Sequence, residues 1–179
     1  TEMKQFSIRT PAEIGVMAEG GRMLGEVKEE LAGAVKPGVD VADIEKLADR
    51  LIAKTGGKPS FKMVPGYSWA TCMNINEEVV HAIPKARKIK EGDIVGIDVG
   101  LFYKGWHTDT AITVGAGKIQ KQTELFLDAG RKALKVALKR AKPGKRVTDL
   151  SQAMQEGIEG SGYTVVRALT GHGLPATTV

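Results

Sequence analysis

Cysteine is almost missing from this chain: Cys72 is the single one in 179 residues. An internal disulfide is excluded, and an isolated thiol suits a reducing compartment. As packing, Cys72 is a small buried hydrophobe. Long apolar runs are also lacking, since no window reaches the roughly 18 consecutive apolar residues of a membrane span. The opening stretch "TEMKQFSIRTPAEIG" contains no apolar block of signal-peptide type. A cytoplasmic setting with no membrane partner is the expectation. Aromatics make up 5% of the residues, and none interleaves with the densest basic run, "KARKIK", Lys85 to Lys90. With a net charge of only +5, that run reads as a solvated loop, and no specific nucleic-acid partner is expected.

Apolar residues are plentiful, at 42%, with 26% charged, enough for a real core in one compact unit or two small lobes. The first helix starts at "TPAE": Thr10 caps it, Pro11 takes the first helical position, and Glu13 completes a capping box. Ile14, Met17, Leu24, Val27 and Leu31 recur at three- and four-residue steps, which predicts a helix to about Val35 with a buried stripe. The pair Gly20-Gly21 costs helix propensity and points to close packing against a neighbour, with a plain kink as the alternative. A second helix carries Ile44, Leu47 and Leu51 on one face and ends at Gly56-Gly57.

An internal repeat follows. Lys36, Pro37, Gly38, Val41, Asp43 and Ile44 match Lys142, Pro143, Gly144, Val147, Asp149 and Leu150 at a constant offset of 106 residues. Each copy is preceded by a helix, the second being "TELFLDAGRKALKVALKRA" with Leu125, Leu134 and Leu138 on its stripe. The repeat implies two halves built as helix, Lys-Pro-Gly turn, helix, then strands. In the first half the predicted strands lie at "PSF" near Phe61, at "ATCMNI" near Met73, and at "DIVGIDVG" and "HTDTAITVG". The second half offers no counterpart of "KEGDIVGIDVG".

The last two strands read as a hairpin that carries Asp98 and Asp109 in apolar surroundings. A two-residue turn at Tyr103-Lys104 places the aspartates directly opposite, and one at Lys104-Gly105 places them diagonally on the same face. A three-residue loop splits them across faces. On one face, two carboxylates repel unless something positive lies between them, and a divalent ion is the natural compensator. A pair of such ions about 3.5–4 Å apart needs bridging and terminal carboxylates plus a further donor. The alternative also stands: one aspartate caps a turn and the other is solvated on an edge strand.

Three histidines could supply the further donor. His81, in "EEVVHAIP", is flanked by Val79, Val80 and Ile83 before Pro84 halts a strand, the setting of a hydrogen-bonded core histidine. His172 lies between glycines in "TGHGLP", as a site residue or a plain loop histidine. His107, two residues before Asp109, shares its face on an extended strand and is a reserve ligand.

Taken in order and at these intervals, "NINEEVVHAIP", "EGDIVGIDVGLFYKGWHTDTAITVG" and "GHG" resemble the methionine aminopeptidases of the short bacterial type I, over about Met3 to Gly173. The resemblance implies an α/β (α+β) pita-bread fold of two pseudo-symmetric halves, with an antiparallel sheet and flanking helices. One catalytic domain over 1–179 is implied, its first half about 1–116 and its second about 117–179. It further implies two divalent metal ions (Co, Mn, Fe or Zn), with Asp98 as terminal chelating ligand, Asp109 as bridging ligand and His172 as imidazole ligand. His81 would contact the substrate near the scissile peptide and stabilise the transition state, and Tyr67 and Cys72 in "PGYSWATC" would line the pocket for the methionine side chain. The implied reaction is removal of the N-terminal methionine from peptides and nascent chains by a metal-activated hydroxide, in a monomer acting near the ribosome. Relatives of this type also carry a second catalytic histidine and two glutamate ligands after their Gly-His-Gly, and "LPATTV" does not follow that pattern. The expectation is that the second half is incomplete and that this chain by itself is poorly active. Two other readings stay open: a non-catalytic pita-bread binding protein, and a proline-directed dinuclear aminopeptidase.

Overall fold

A computed structural model describes residues 8–174. The start of the resemblance, from Met3 to residue 7, and the end of "LPATTV" after Leu174 lie outside the described residues. Two compact units are present, one running to Gly117 and including Gly173 and Leu174, the other Lys118–His172. Among the described residues, no helix is long and apolar enough to cross a membrane.

The first unit opens with α1, Pro11–Ala34, entered through the expected capping box: the Glu13 amide donates to Thr10 Oγ1 while Glu13 Oε2 accepts from the Thr10 amide at 2.6 Å. Leu24, Val27 and Leu31 are buried on its stripe, but Ile14, one turn from the start, is exposed. The glycine pair divides. A Cβ on Gly20 would stand 3.6–3.7 Å from Thr108 and Tyr103, whereas Gly21 faces open space, so close packing accounts for the first glycine alone. Helix α2, Val41–Lys54, is capped by Asp40, whose Oδ1 accepts from the Ala42 amide at 3.0 Å.

Four strands follow: β1 Lys58–Pro59, β2 Thr71–Ile75, β3 Ile94–Tyr103 and β4 Trp106–Gly115. The strand expected at "PSF" shrinks to β1. Ser60 turns into a helical conformation, and Phe61–Met63 form a short 3-10 turn. The strand expected to end at Pro84 is also absent: β2 stops at Ile75, and His81 lies in the irregular connection to β3. All pairings are antiparallel. β4 runs along one edge of β3, and β2 and β1 share the other. One face of this sheet, with Met73, Ile75, Val95, Ile97, Val99 and Leu101, is buried with Leu24, Leu31, Ile44 and Ile52 of the two helices. Burying each such side chain contributes about 1.5–3 kcal/mol.

The second unit consists, among its described residues, of α3, Lys121–Arg140, and α4, Val147–Glu159. The repeat is present in its geometry: α2 begins at Val41 and α4 at Val147, and Gly38 and Gly144 take φ of 86° and 81° in matching Lys-Pro-Gly turns. Its packing is different. Val41 is fully buried whereas Val147 is 81% exposed. The stripe expected on α3 is likewise reversed, because Leu125, Leu134 and Leu138 are exposed and Leu127, Ala129, Ala133 and Ala137 are buried. The helix pair explains it. A Cβ on Gly157 of α4 would stand 3.2 Å from Ala133 Cβ, an approach only small residues permit.

Gly100 holds a comparable position in the sheet, where an added Cβ would come within 2.8 Å of both Ser60 Cβ and Phe61 Cε1. Gly100→Ala is expected to lower stability by about 1–3 kcal/mol through overpacking. Gly21→Ala, in open helix, should raise it by up to about 1 kcal/mol, and urea unfolding of the two variants checks both signs.

Candidate functional site

The site begins with a turn. Tyr103 pairs with Trp106, leaving Lys104 and Gly105 as a two-residue loop with φ of 47° and 87°. Both values lie in the left-handed region, as a type I′ hairpin turn demands. The register that follows pairs Asp98 with Ala111 and Gly100 with Asp109, so the two aspartates are diagonal neighbours on one face. This is the second of the two same-face arrangements open from the sequence. Both side chains are half-buried.

On the other edge of β3, Cys72 pairs with Asp98, which brings the thiol to the carboxylate face. Tyr67 reaches the same place. Its hydroxyl donates to the Thr71 carbonyl at 2.7 Å and lies 3.1 Å from Cys72 Sγ. Burial first, and then the hydrogen bond between them, pushes the Tyr67 phenol above its ordinary range, with the charges of Glu45 and Asp98 adding to the effect. Cys72 is pushed up as well, chiefly by burial and further by the negative charge of Asp98, Asp109 and Glu45. Both groups stay neutral at ordinary pH. Trp69 packs edge-on against Tyr67, with ring centroids 5.3 Å apart, completing an apolar and polarizable wall beside two carboxylates.

The histidines are distributed otherwise. His81 is exposed, with φ of 58°, and is therefore no core histidine. His172 is exposed and belongs to the second unit. His107 is the buried one, where Ser60 Oγ lies 2.5 Å from Nδ1 while Nε2 has no hydrogen-bond partner among the described residues. Among the described residues, no group of three or more His, Cys, Asp or Glu side chains is placed to hold a metal ion. The oxygen donors of Asp98 and Asp109 suit a divalent cation.

Two residues that sequence reasoning passed over brace the segments around this face. Glu45, buried on α2, accepts from the Ala70 amide at 2.6 Å, the Thr71 amide at 3.1 Å and the Thr71 hydroxyl at 2.6 Å. It thereby fixes the entry to β2 just before Cys72. A charged residue inside the apolar stripe of Val41, Ile44, Ala48 and Ile52 was the available signal. The other is Asn74, whose amide joins the face at the position after next from Cys72.

This site has recognisable relatives. The sequence model of metallopeptidase family M24 matches residues 15–176. The chain belongs to that family. Within it the similarity is to bacterial methionine aminopeptidases: 39% identity to methionine aminopeptidase 1 of Bacillus subtilis over 166 residues, 93% of this chain and 67% of the relative. The crystal structure of the Thermotoga maritima methionine aminopeptidase superposes with a TM-score of 0.92 at 38% identity, covering 96% of this chain and 70% of that one. The pita-bread fold of family M24 is thus established for this chain, which spans about two thirds of the length of these relatives. Prolidase from Pyrococcus furiosus, at 22% identity and a TM-score of 0.78, shares the fold.

Two outcomes are expected from this geometry. Glu45→Ala strands two backbone amides and a hydroxyl and should cost about 3 kcal/mol or more, while Glu45→Gln, which keeps an acceptor oxygen, should cost less in urea unfolding. Burial holds the His107 imidazole below its ordinary value of 6.5, so the unfolded chain takes up this proton more readily than the fold. The stabilisation is fully present above pH 6.5 and is lost as the pH falls below it. In His107→Gln that part of the pH dependence should vanish.

Proposed function

We propose that this chain removes the N-terminal methionine from peptides and nascent chains, using a pair of divalent ions held by Asp98, Asp109 and His172. The observation that carries the reading is the diagonal placement of Asp98 and Asp109 on one sheet face beside Cys72. Two carboxylates so placed are held together most economically by a cation, and their oxygen chemistry accommodates Mn, Fe, Co or Zn. When bound, such ions supply a nucleophile near neutral pH and polarise the scissile carbonyl. His172 enters the ligand set by its motif position alone. In this reading the protein works as a cytoplasmic monomer near the ribosome.

The chain's own residues then divide the remaining work. Tyr67 and Cys72, both neutral and partly apolar, line the pocket that receives the thioether side chain, where sulfur and ring-edge contacts favour methionine. His81 contacts the substrate near the scissile peptide and stabilises charge that develops there.

Calorimetric titration with Mn²⁺ and a methionyl-peptide assay test this directly. Asp98→Asn and Asp109→Asn should each weaken metal binding by at least about tenfold and remove chelator-sensitive methionine release. Methionine release that is indifferent to both chelator and Asp98→Asn would overturn the reading. Cleavage only before proline, in a peptide panel, would favour a proline-directed enzyme in its place.

A further inference from the structure

His81 has a backbone that needs an explanation. A side chain other than glycine at φ of 58° is in the left-handed region, which costs on the order of 1–3 kcal/mol and persists only where the surroundings over-determine it. The connection holding His81 is otherwise irregular and largely exposed, so its own packing does not supply that constraint. Hydrogen bonds from β2 do. Asn74 Nδ2 donates to the Val79 carbonyl at 3.2 Å, and Asn74 Oδ1 accepts from the Ala82 amide at 2.9 Å. One side-chain amide therefore grips the backbone two residues before His81 and one residue after it. The Met73 amide adds a bond to the Ala82 carbonyl at 2.9 Å. Farther out, Glu78 accepts from the Ile75 amide at 2.7 Å and pairs in bidentate fashion with Arg87 at 3.0 and 2.7 Å, bracing the two limbs of the same connection.

The chemistry of the grip is specific. It needs a donor and an acceptor on one short planar group, because it meets a carbonyl on one side and an N–H on the other. Aspartate keeps the acceptor but turns a carboxylate toward the Val79 carbonyl, and alanine keeps neither. Asn74 also follows Cys72 by two residues on β2, so it stands on the face that carries Asp98 and Asp109. The group that constrains His81 is thus mounted on the same rigid strand as the pocket thiol.

We propose that Asn74 is a positioning residue for His81: its amide fixes the left-handed backbone of the histidine relative to the carboxylate face, and so sets where the imidazole stands when substrate is bound. The proposal rests on the reading of His81 as the residue that contacts the substrate.

The test combines backbone spectroscopy of the intact chain with a double-mutant cycle. In Asn74→Ala, the Ala82 amide should exchange about tenfold faster, and the ¹³Cα and ¹³Cβ shifts of His81 should leave the left-handed pattern. Asn74→Asp should keep Ala82 protected while still shifting His81. For a methionyl peptide, Asn74→Ala should lower kcat by about tenfold with KM changed by less than about twofold, and it should lower kcat no further when added to His81→Ala. Unchanged Ala82 exchange and His81 shifts in Asn74→Ala would overturn the positioning itself. Losses that multiply in the double mutant would overturn the claim that Asn74 acts through His81. If His81→Ala leaves kcat intact while Asn74→Ala still displaces the His81 signals, the catalytic reading of His81 is what has failed, and the proposed role in the reaction falls with it.

Discussion

The two-residue turn at Lys104-Gly105 is the constraint from which the rest of the site follows. Side chains along a strand alternate faces with period two, so a turn one residue longer would send Asp109 to the opposite face from Asp98. The turn is held from outside the hairpin as well. Tyr103 Oη donates to Glu19 Oε1 at 3.0 Å, and Lys104 Nζ to Glu19 Oε2 at 3.0 Å, which ties the hairpin to α1. The helix-covered face is the mirror of this arrangement. Val95, Ile97, Val99 and Leu101 are buried with the helices because they alternate with Gly96, Asp98 and Gly100. Burial of one face therefore decides which residues the other presents.

Around that face, polar side chains substitute for regular structure. The segment from Ser60 to Ala70 and the connection from Asn76 to Asp93 have few ladder hydrogen bonds of their own, yet they carry Tyr67 and His81. Glu45 pins the end of the first to α2, and Asn74 pins the second to β2. Ser60, through His107, anchors the start of the first segment to β4. Side chains on loops keep a defined geometry only when a rigid element holds the loop backbone, and here that element is in each case a strand or helix of the first unit.

Much of this was legible in the chain. The capping box at Thr10, the Lys-Pro-Gly repeat at offset 106 and the hairpin of Asp98 and Asp109 were all readable, because caps, turns and period-two alternation are local. The readings that failed needed knowledge of neighbours. His81 looked like a core histidine because valines and an isoleucine flank it, but the β2 ladder ends before that stretch. Leu134 and Leu138 looked like a core stripe because leucines at helical spacing usually are one. The facing helix, however, approaches closely enough at Gly157 that only alanines fit between. Phe61 has the β propensity of a strand residue, but at Gly100 the chain comes so close that it turns aside there.

The sequence by itself determined the helices with their caps, the Asp98–Asp109 hairpin and the repeat, because those depend on residue identity and short-range spacing. Which carboxylates meet was left open between two same-face registers and one split arrangement, and only the pairing of Tyr103 with Trp106 decided it. The roles of Glu45 and Asn74 likewise belonged to the tertiary structure. Glu45 acts on residues 25 and 26 positions away, and Asn74 acts on backbone whose conformation no local propensity favours. A hydrogen bond between distant groups is set by the packing that brings donor and acceptor together, and that packing is a property of the folded chain as a whole.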